Sequence, residues 1–337
     1  MVKILITGAA GFIGSELAKH LHHNKNYDLT LVDNLSYGYL DNLNNHKIIK
    51  NFVQMDVRSS EFLEMVPDFD YIFHFAGISS LPECETNPSE ALDVNTQSVV
   101  QLLRAMRRSK KSPKLIFAST SAVYENSKNH LLSEEVDCSP DLVYAQSKYF
   151  AESIIKSFCE NYGIQAIICR FFNVYGPHQD FRRPHPPFTS YLIKEIISNR
   201  IPSIYNQTEA RRDYIYISDL ISYLEILMAV ENLSAIGKVN ICSGNSYTVP
   251  DIIKEIEKIM IHKINVNFKE PQEYWDKYTN LFNEERNLIK SRIIKEVSKS
   301  AIGDPSKIRQ ITKFHPKIDL NTGLRHIIDF QKTQDDK

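Results

Sequence analysis

The segment Gly8-Ala9-Ala10-Gly11-Phe12-Ile13-Gly14 constrains this chain most, because it joins the strand-like run Val2–Thr7 to an amphipathic stretch that begins at Phe12. Glycines at this spacing let a strand turn sharply into a helix, let the backbone approach a pyrophosphate, and let helix and strand pack closely. The free N–H groups of the helix start, from Gly11 through Phe12 and Ile13, then face an anion. Nineteen positions after Gly14, Asp33 ends the next strand-like run, where a carboxylate accepts both hydroxyls of a ribose and repels a 2'-phosphate. Asn34 follows it and no arginine stands beside it, so the pattern predicts NAD as cofactor rather than NADP.

Further runs at Phe52–Asp56, Tyr71–Phe75 and Lys114–Ser119 alternate with predicted helices at Phe12–Asn24, Ser89–Arg108 and Leu142–Glu160. The runs are apolar nearly throughout, as in parallel strands covered on both faces. This rhythm predicts an α/β fold: a Rossmann-type doubly wound parallel sheet with a smaller C-terminal α/β substrate-binding domain. Residues 1–172 form the expected NAD-binding domain. Residues 173–337, where the rhythm turns irregular, form mainly a substrate cap, with some segments returning to the sheet. Asp56 and Val57 after the third run are placed to meet an adenine edge, and Phe75-Ala76-Gly77 to pass the cofactor phosphates.

Composition removes other classes. Hydrophobic residues make up 42% and charged residues 24% of 337, enough for a packed core, and the net charge of -1 gives no footprint for nucleic acid or membrane. The five cysteines (Cys84, Cys138, Cys159, Cys169, Cys242) are scattered, never C-x-x-C, and suggest neither disulfides nor a metal site. No signal-like opening or membrane-length run is present, and a cytoplasmic location is expected.

Tyr144 and Lys148 are four positions apart, so on a helix they share a face. A free phenol titrates near 10, but a nearby ammonium and the positive nicotinamide would favour its phenolate. Ser119-Thr120-Ser121, at the end of a predicted strand, offers hydroxyls to a sugar oxygen.

With Asn95, Arg170–Pro177, Arg212–Ile215 and Gly303–Lys307, these motifs make the chain resemble, over nearly its whole length, an extended short-chain dehydrogenase/reductase of the NAD-dependent epimerase/dehydratase family. The resemblance implies Tyr144 as general base, Lys148 as its activator and nicotinamide-ribose ligand, and Thr120 as the hydroxyl on the sugar's reacting oxygen. Ser119 and Asn95 join the implied cofactor set. Ser79, Ser121, Asn173 and Arg212 join the substrate set, with Arg212 facing a diphosphate and Ala301 gating the space beside the sugar C2 substituent. Tyr205 is a candidate to stack on the nucleobase.

Family members of this kind begin by oxidising the sugar at C4. Dehydratases then carry Asp-Glu directly after the Thr, and UDP-glucuronate decarboxylases a Glu two residues after it; Ser121 and Ala122 stand here instead. The expected function is therefore a nucleotide-sugar 4-epimerase with tightly bound NAD, acting on a UDP-hexose or UDP-N-acetylhexosamine. The alternatives are a dehydratase, with an acid drawn from elsewhere such as Glu125, a decarboxylase or a 4-keto reductase, and, in another class, a catalytically silent NAD-bound regulatory protein. Glu125, the stretch Tyr205–Glu209 and the 181–188 loop depart from the family pattern. The long helices at 89–108 and 142–160 predict a homodimer built on a shared bundle.

Overall fold

The computed structural model describes every residue except 45–46, 184–185, 206–208, 233–234, 236, 284 and 336–337. Pro184 and His185 of the 181–188 loop, Asn206–Thr208 of the 205–209 stretch and the last two residues of the polar tail thus lie outside the described residues.

Five strands come from the first 120 residues: β1 (Val2–Thr7), β2 (Tyr27–Asp33), β3 (Phe52–Gln54), β4 (Tyr71–His74) and β5 (Lys114–Thr120). They are followed by β6 (Leu131–Leu132), β7 (Gln165–Phe171), β8 (Asn173–Tyr175), β9 (Ser203–Ile204), β10 (Arg212–Tyr216) and β11 (Lys238–Ile241). β12 (Ser246–Tyr247), β13 (Asn267–Phe268) and β14 (Ile302–Gly303) complete the set. Seven of them form one parallel sheet in the order β11-β7-β5-β4-β1-β2-β3. Successive residues of a strand feed opposite layers. Ile4, Ile6, Leu31, Phe73 and Ile116 pack on one side, and Leu5, Val32, Ile72, Leu115 and Phe117 on the other. Both faces are dry, so the strands read as unbroken apolar runs, and each fully buried Leu or Ile contributes about 1.5–3 kcal/mol.

The order reverses at β1, which has β2 on one side and β4 on the other. Connections leaving in opposite directions open a crevice at the carboxyl ends of β1 and β4. The second half of the chain roofs that crevice with a three-stranded sheet, β12-β10-β8, and sends β11 back to pair with β7.

The helix predicted over 89–108 is divided into Pro88–Leu92, a wider π turn at Asp93–Gln97, and Ser98–Met106. The turn admits the buried side chain of Asn95, which accepts from Ile78 N at 2.9 Å and donates to Ile78 O at 2.9 Å and to Ser147 Oγ at 3.0 Å. The long helix Val143–Tyr162 stops at Gly163, whose left-handed φ of 68° lets its N–H reach Cys159 O. Among the described residues no helix is long and apolar enough to cross a membrane, and no three His, Cys, Asp or Glu side chains are grouped to hold a metal.

Candidate active site

At the carboxyl end of β1 the chain closes more tightly than any side chain would permit. A Cβ on Gly8 would lie 2.8 Å from Ala76 N, and one on Gly14 would lie 2.2 Å from Gly8 O. Beside this loop a cleft of about 210 Å³ is lined by Gly8, Gly11, Asp33, Asn34, Asp56 and Val57, with Phe75, Ala76 and Gly77 along its inner edge. Asp33 is nearly buried; Oδ2 accepts from Ala10 N at 3.0 Å and Oδ1 from Leu35 N at 2.8 Å. Burial still outweighs those bonds and raises its pKa. This cradle, with close-packed glycine backbone on one side and the buried Asp33 carboxylate on the other, fits a dinucleotide without a 2'-phosphate.

Asp56 does not present a free carboxylate to an adenine. Arg58 donates to both its oxygens at 2.9 Å and Asn34 Nδ2 donates to Oδ2 at 3.0 Å, which holds the acid down at about 2. The sequence pattern missed Arg58 because a surface arginine two residues on carries no signal of which oxygen it will reach.

Thr7 locks the end of β1 to the loop after β4. Its Oγ1 accepts from Phe75 N at 3.2 Å and Ala76 N at 3.3 Å, and its own proton meets Nδ1 of the buried His74 at 3.0 Å. Burial pushes His74 down to about 3. In the unfolded chain the same imidazole charges near 6.5, so below that pH the unfolded state binds the extra proton and native stability falls, down to the folded value. Each pH unit of this window costs about 1.4 kcal/mol. We expect His74→Gln to flatten the acid limb of a Tm-against-pH curve; equal slopes in both proteins between pH 6 and pH 4, read by calorimetry, would refute the assignment.

The crevice continues as a cleft of about 480 Å³ whose lining includes Ser79, Ser119, Thr120, Tyr144, Lys148 and Asn173. Phe12, Ile13 and Gly14 form part of the same wall. Thr120 ends β5, Asn173 begins β8, and Tyr144 lies in the first turn of the Val143–Tyr162 helix, so three elements converge on one point. Burial takes the Tyr144 phenol up to about 12, against the lowering influence of the Thr120 hydroxyl beside it. Lys148 Nζ donates to Ala118 O at 3.0 Å and lies 5.0 Å from the Phe117 ring centre, and burial brings it down to about 8. The expected lowering of the phenol by the Lys148 ammonium is thus corrected here: the amine is turned to the β5 carbonyl, and desolvation governs the tyrosine.

Beyond Asn173 a third region, of about 560 Å³, is lined by Tyr205, Arg212, Tyr214, Tyr274, Trp275 and Lys277. Asn173 Nδ2 donates to Asp213 O at 2.8 Å, and Arg212 donates to Glu296 O at 2.7 Å. Tyr205 meets Tyr274 edge-on, with ring centres 5.4 Å apart. A tyrosine beside a threonine, open to a glycine-lined dinucleotide cradle at one end and an arginine- and aromatic-lined chamber at the other, suits proton and hydride exchange on a long ligand.

The sequence profile of the NAD dependent epimerase/dehydratase family matches residues 4–242. The chain belongs to this family. Its members use NAD, and the cradle at β1 fits it. The putative UDP-glucose 4-epimerase of Methanocaldococcus jannaschii is 28% identical over 98% of both chains. The solved structure of the UDP-N-acetylglucosamine 4-epimerase of Methanobrevibacter ruminantium M1, in complex with UDP-N-acetylmuramic acid, is 27% identical with a TM-score of 0.84 over 99% of both chains. That of the UDP-glucuronic acid 4-epimerase of Bacillus cereus, in complex with UDP-glucuronic acid and NAD, is 26% identical with a TM-score of 0.83, covering 99% of this chain and 100% of the other.

In this member of the epimerase/dehydratase family, four candidate residues stand outside the lining of the three clefts. Asn95 is almost completely buried and ties Ile78 to Ser147. Ser121 opens the short turn after β5, and it is Thr120 and Ala122 that line the cleft. Ala301 stands one layer behind the catalytic cleft, in a cluster with Phe172, which lines it. It packs with Tyr124, Phe172 and Cys242, and its backbone pairs with Arg211 and Asp213, which fixes β10 beneath the cleft. Glu125 is buried among backbone N–H groups away from the cleft lining. Ser119 lines the cleft and also donates to Glu152, whose carboxylate pairs with buried Arg170.

Residues the motifs did not single out also reach the site. Tyr37 lines both the dinucleotide cleft and the catalytic one, and Arg183 lines the catalytic and arginine-lined ones. Gly38 was a usable signal for the first: a Cβ there would lie 2.8 Å from Asp33 Oδ2, so the Ser36–Gly38 turn must hug the carboxylate. For Arg183 no local signal exists, since its place between the two clefts is set by packing against residues distant in sequence.

Proposed function

We propose that this protein is a UDP-sugar 4-epimerase that keeps NAD bound between turnovers. The observation that carries the reading is the Tyr144–Thr120 pair in a cleft that, among the described residues, offers no free carboxylate beside it. Of the acidic residues lining the catalytic and arginine-lined clefts, Asp180 is engaged by Arg182 and Glu296 by Lys299. Elimination of water from C5 and C6 would call for a carboxyl acid or base there; return of hydride to the opposite face of C4 does not.

When bound, NAD supplies the hydride acceptor for sugar C4 and a positive ring that favours the Tyr144 phenolate. Tyr144 takes the proton of the C4 hydroxyl and later returns it. Thr120 holds that oxygen, and Lys148 steadies the nicotinamide ribose. Asn173 and Arg212 hold the diphosphate, where a guanidinium grips two oxygens, and Tyr205 with Tyr274 receives the base. Gly8, Gly11, Gly14, Asp33, Asn34 and the 75–77 segment hold the dinucleotide. Residues 1–172 serve as the cofactor domain and 173–337 as the cap, with β11 returned to the cofactor sheet.

Incubating the protein with UDP-glucose, UDP-N-acetylglucosamine and UDP-glucuronic acid, and following products by NMR and mass spectrometry, tests the reading. The expected product is the C4 epimer at unchanged mass with no net NADH. Loss of water or carbon dioxide would establish a dehydratase or a decarboxylase instead.

Two further assignments belong to the proposal. The exposed apolar residues Leu92 and Phe150, on the Pro88–Leu92 and Val143–Tyr162 helices, support a homodimer across that face. Five unpaired cysteines suit a reducing compartment, and we place the enzyme in the cytoplasm.

A further inference from the structure

We propose that Glu125 is a positioning residue for Tyr144, held in place by Arg292 from the helix Lys290–Ser298. The Val143–Tyr162 helix starts without a capping side chain of its own at Leu142. Its leading N–H groups are received from outside. Glu125 Oε2 accepts from Asp141 N at 2.7 Å and Leu142 N at 3.0 Å, and Glu85 accepts from Val143 N at 2.6 Å. Tyr144 is the next residue, so the place where these carboxylates anchor the backbone sets where its hydroxyl stands relative to Thr120.

Glu125 is 3% exposed, and a buried carboxylate needs a partner. Arg292 supplies it, pairing with Glu125 and Asp141 and lying 3.7 Å from Glu296. Lys295, one turn further along, donates to Asn126 beside Glu125. The backbone carbonyl of Glu296 in the same helix accepts from Arg212. The Lys290–Ser298 helix therefore fastens the start of the Tyr144 helix to the arginine of the far chamber. Neither Glu125 nor Arg292 lines the catalytic cleft.

This inference rests on Tyr144 being the catalytic residue, and Tyr144→Phe is measured alongside to keep the two apart. Glu125→Ala should lower kcat about 10- to 100-fold, the size of loss that small misplacements cause. KM for the UDP-sugar should stay within about twofold, and the acid limb of the kcat profile should move to higher pH as the phenol is held less well. Glu125→Gln keeps an acceptor for both N–H groups and should recover most of kcat. Arg292→Met keeps the Glu125 carboxylate but removes its partner and unties the Lys290–Ser298 helix; it should lower kcat and weaken UDP binding together, read by calorimetry. Arg292→Met also decides the matter if Glu125→Ala does not fold. If Tyr144→Phe is inactive while Glu125→Ala and Arg292→Met turn over as the parent does at every pH, Glu125 does not position Tyr144. Full activity in Tyr144→Phe would overturn the reading of the tyrosine itself.

Discussion

Replacing Tyr144 by phenylalanine lowers kcat by about 10³-fold, within the range that a positioned acid or base contributes, and leaves NAD and UDP in place. The expectation follows from what the substitution removes. Phenylalanine keeps the ring that fills the space beneath Thr120 and deletes one oxygen, so the helix start, the cradle at β1 and the chamber around Arg212 are untouched. Only the atom proposed to take the C4 proton is lost. Burial pushes that phenol up to about 12, and the variant separates proton transfer from binding. Turnover by NMR together with UDP titration calorimetry checks it: kcat falls and Kd for UDP stays constant. A variant that turned over as the parent does would remove Tyr144 from the mechanism.

A second large effect lies at the other end of the cleft. In Gly14→Ala the added carbon would sit 2.2 Å from Gly8 O and 2.9 Å from Ala9 Cα, contacts that only a backbone shift relieves. Overpacking of this kind costs about 1–3 kcal/mol, and here it displaces the N–H groups that face the pyrophosphate. A loss of about 3 kcal/mol in binding corresponds to NAD held more than 100-fold less tightly. The purified variant should therefore carry little NAD, measured by release on acid denaturation, and melt earlier. Gly163→Ala is the control. Nothing lies within 4 Å of its added carbon, so it should pay about 1 kcal/mol for the left-handed φ and keep its NAD. Equal NAD content in the two variants would show that close approach at Gly14 does not hold the cofactor.

Much of this was legible because it is local. A strand, a glycine turn and a helix start are specified by neighbours in sequence, and the apolar runs marked β1, β2, β4 and β5 because both faces of the sheet are dry. Tyr144 and Lys148 were readable as a pair because helical spacing puts them on one face. Roles that depend on which distant group arrives were not readable. Asp56 was placed at an adenine edge and is also engaged by Arg58; Ala301 packs with Tyr124, Phe172 and Cys242; Glu125, considered as a displaced acid, receives the N–H groups just before the Tyr144 helix. Asn95 looked like part of a continuous helix, and the π turn around it serves Ile78 and Ser147.

By itself, then, the sequence determined the doubly wound sheet and the dinucleotide loop, since each follows from periodicity or spacing over a few residues; the roles of Tyr144 and Lys148 came from the family resemblance of the motifs around them. Only the tertiary structure decided the electrostatic state of the site and its boundaries. Desolvation is a property of everything that surrounds a group, and the groups around Tyr144, Lys148 and Glu125 come from segments as distant as Cys84 and Arg292. A spacing rule sees the helix that carries Tyr144, but the carboxylate that fixes its first turn is chosen by packing.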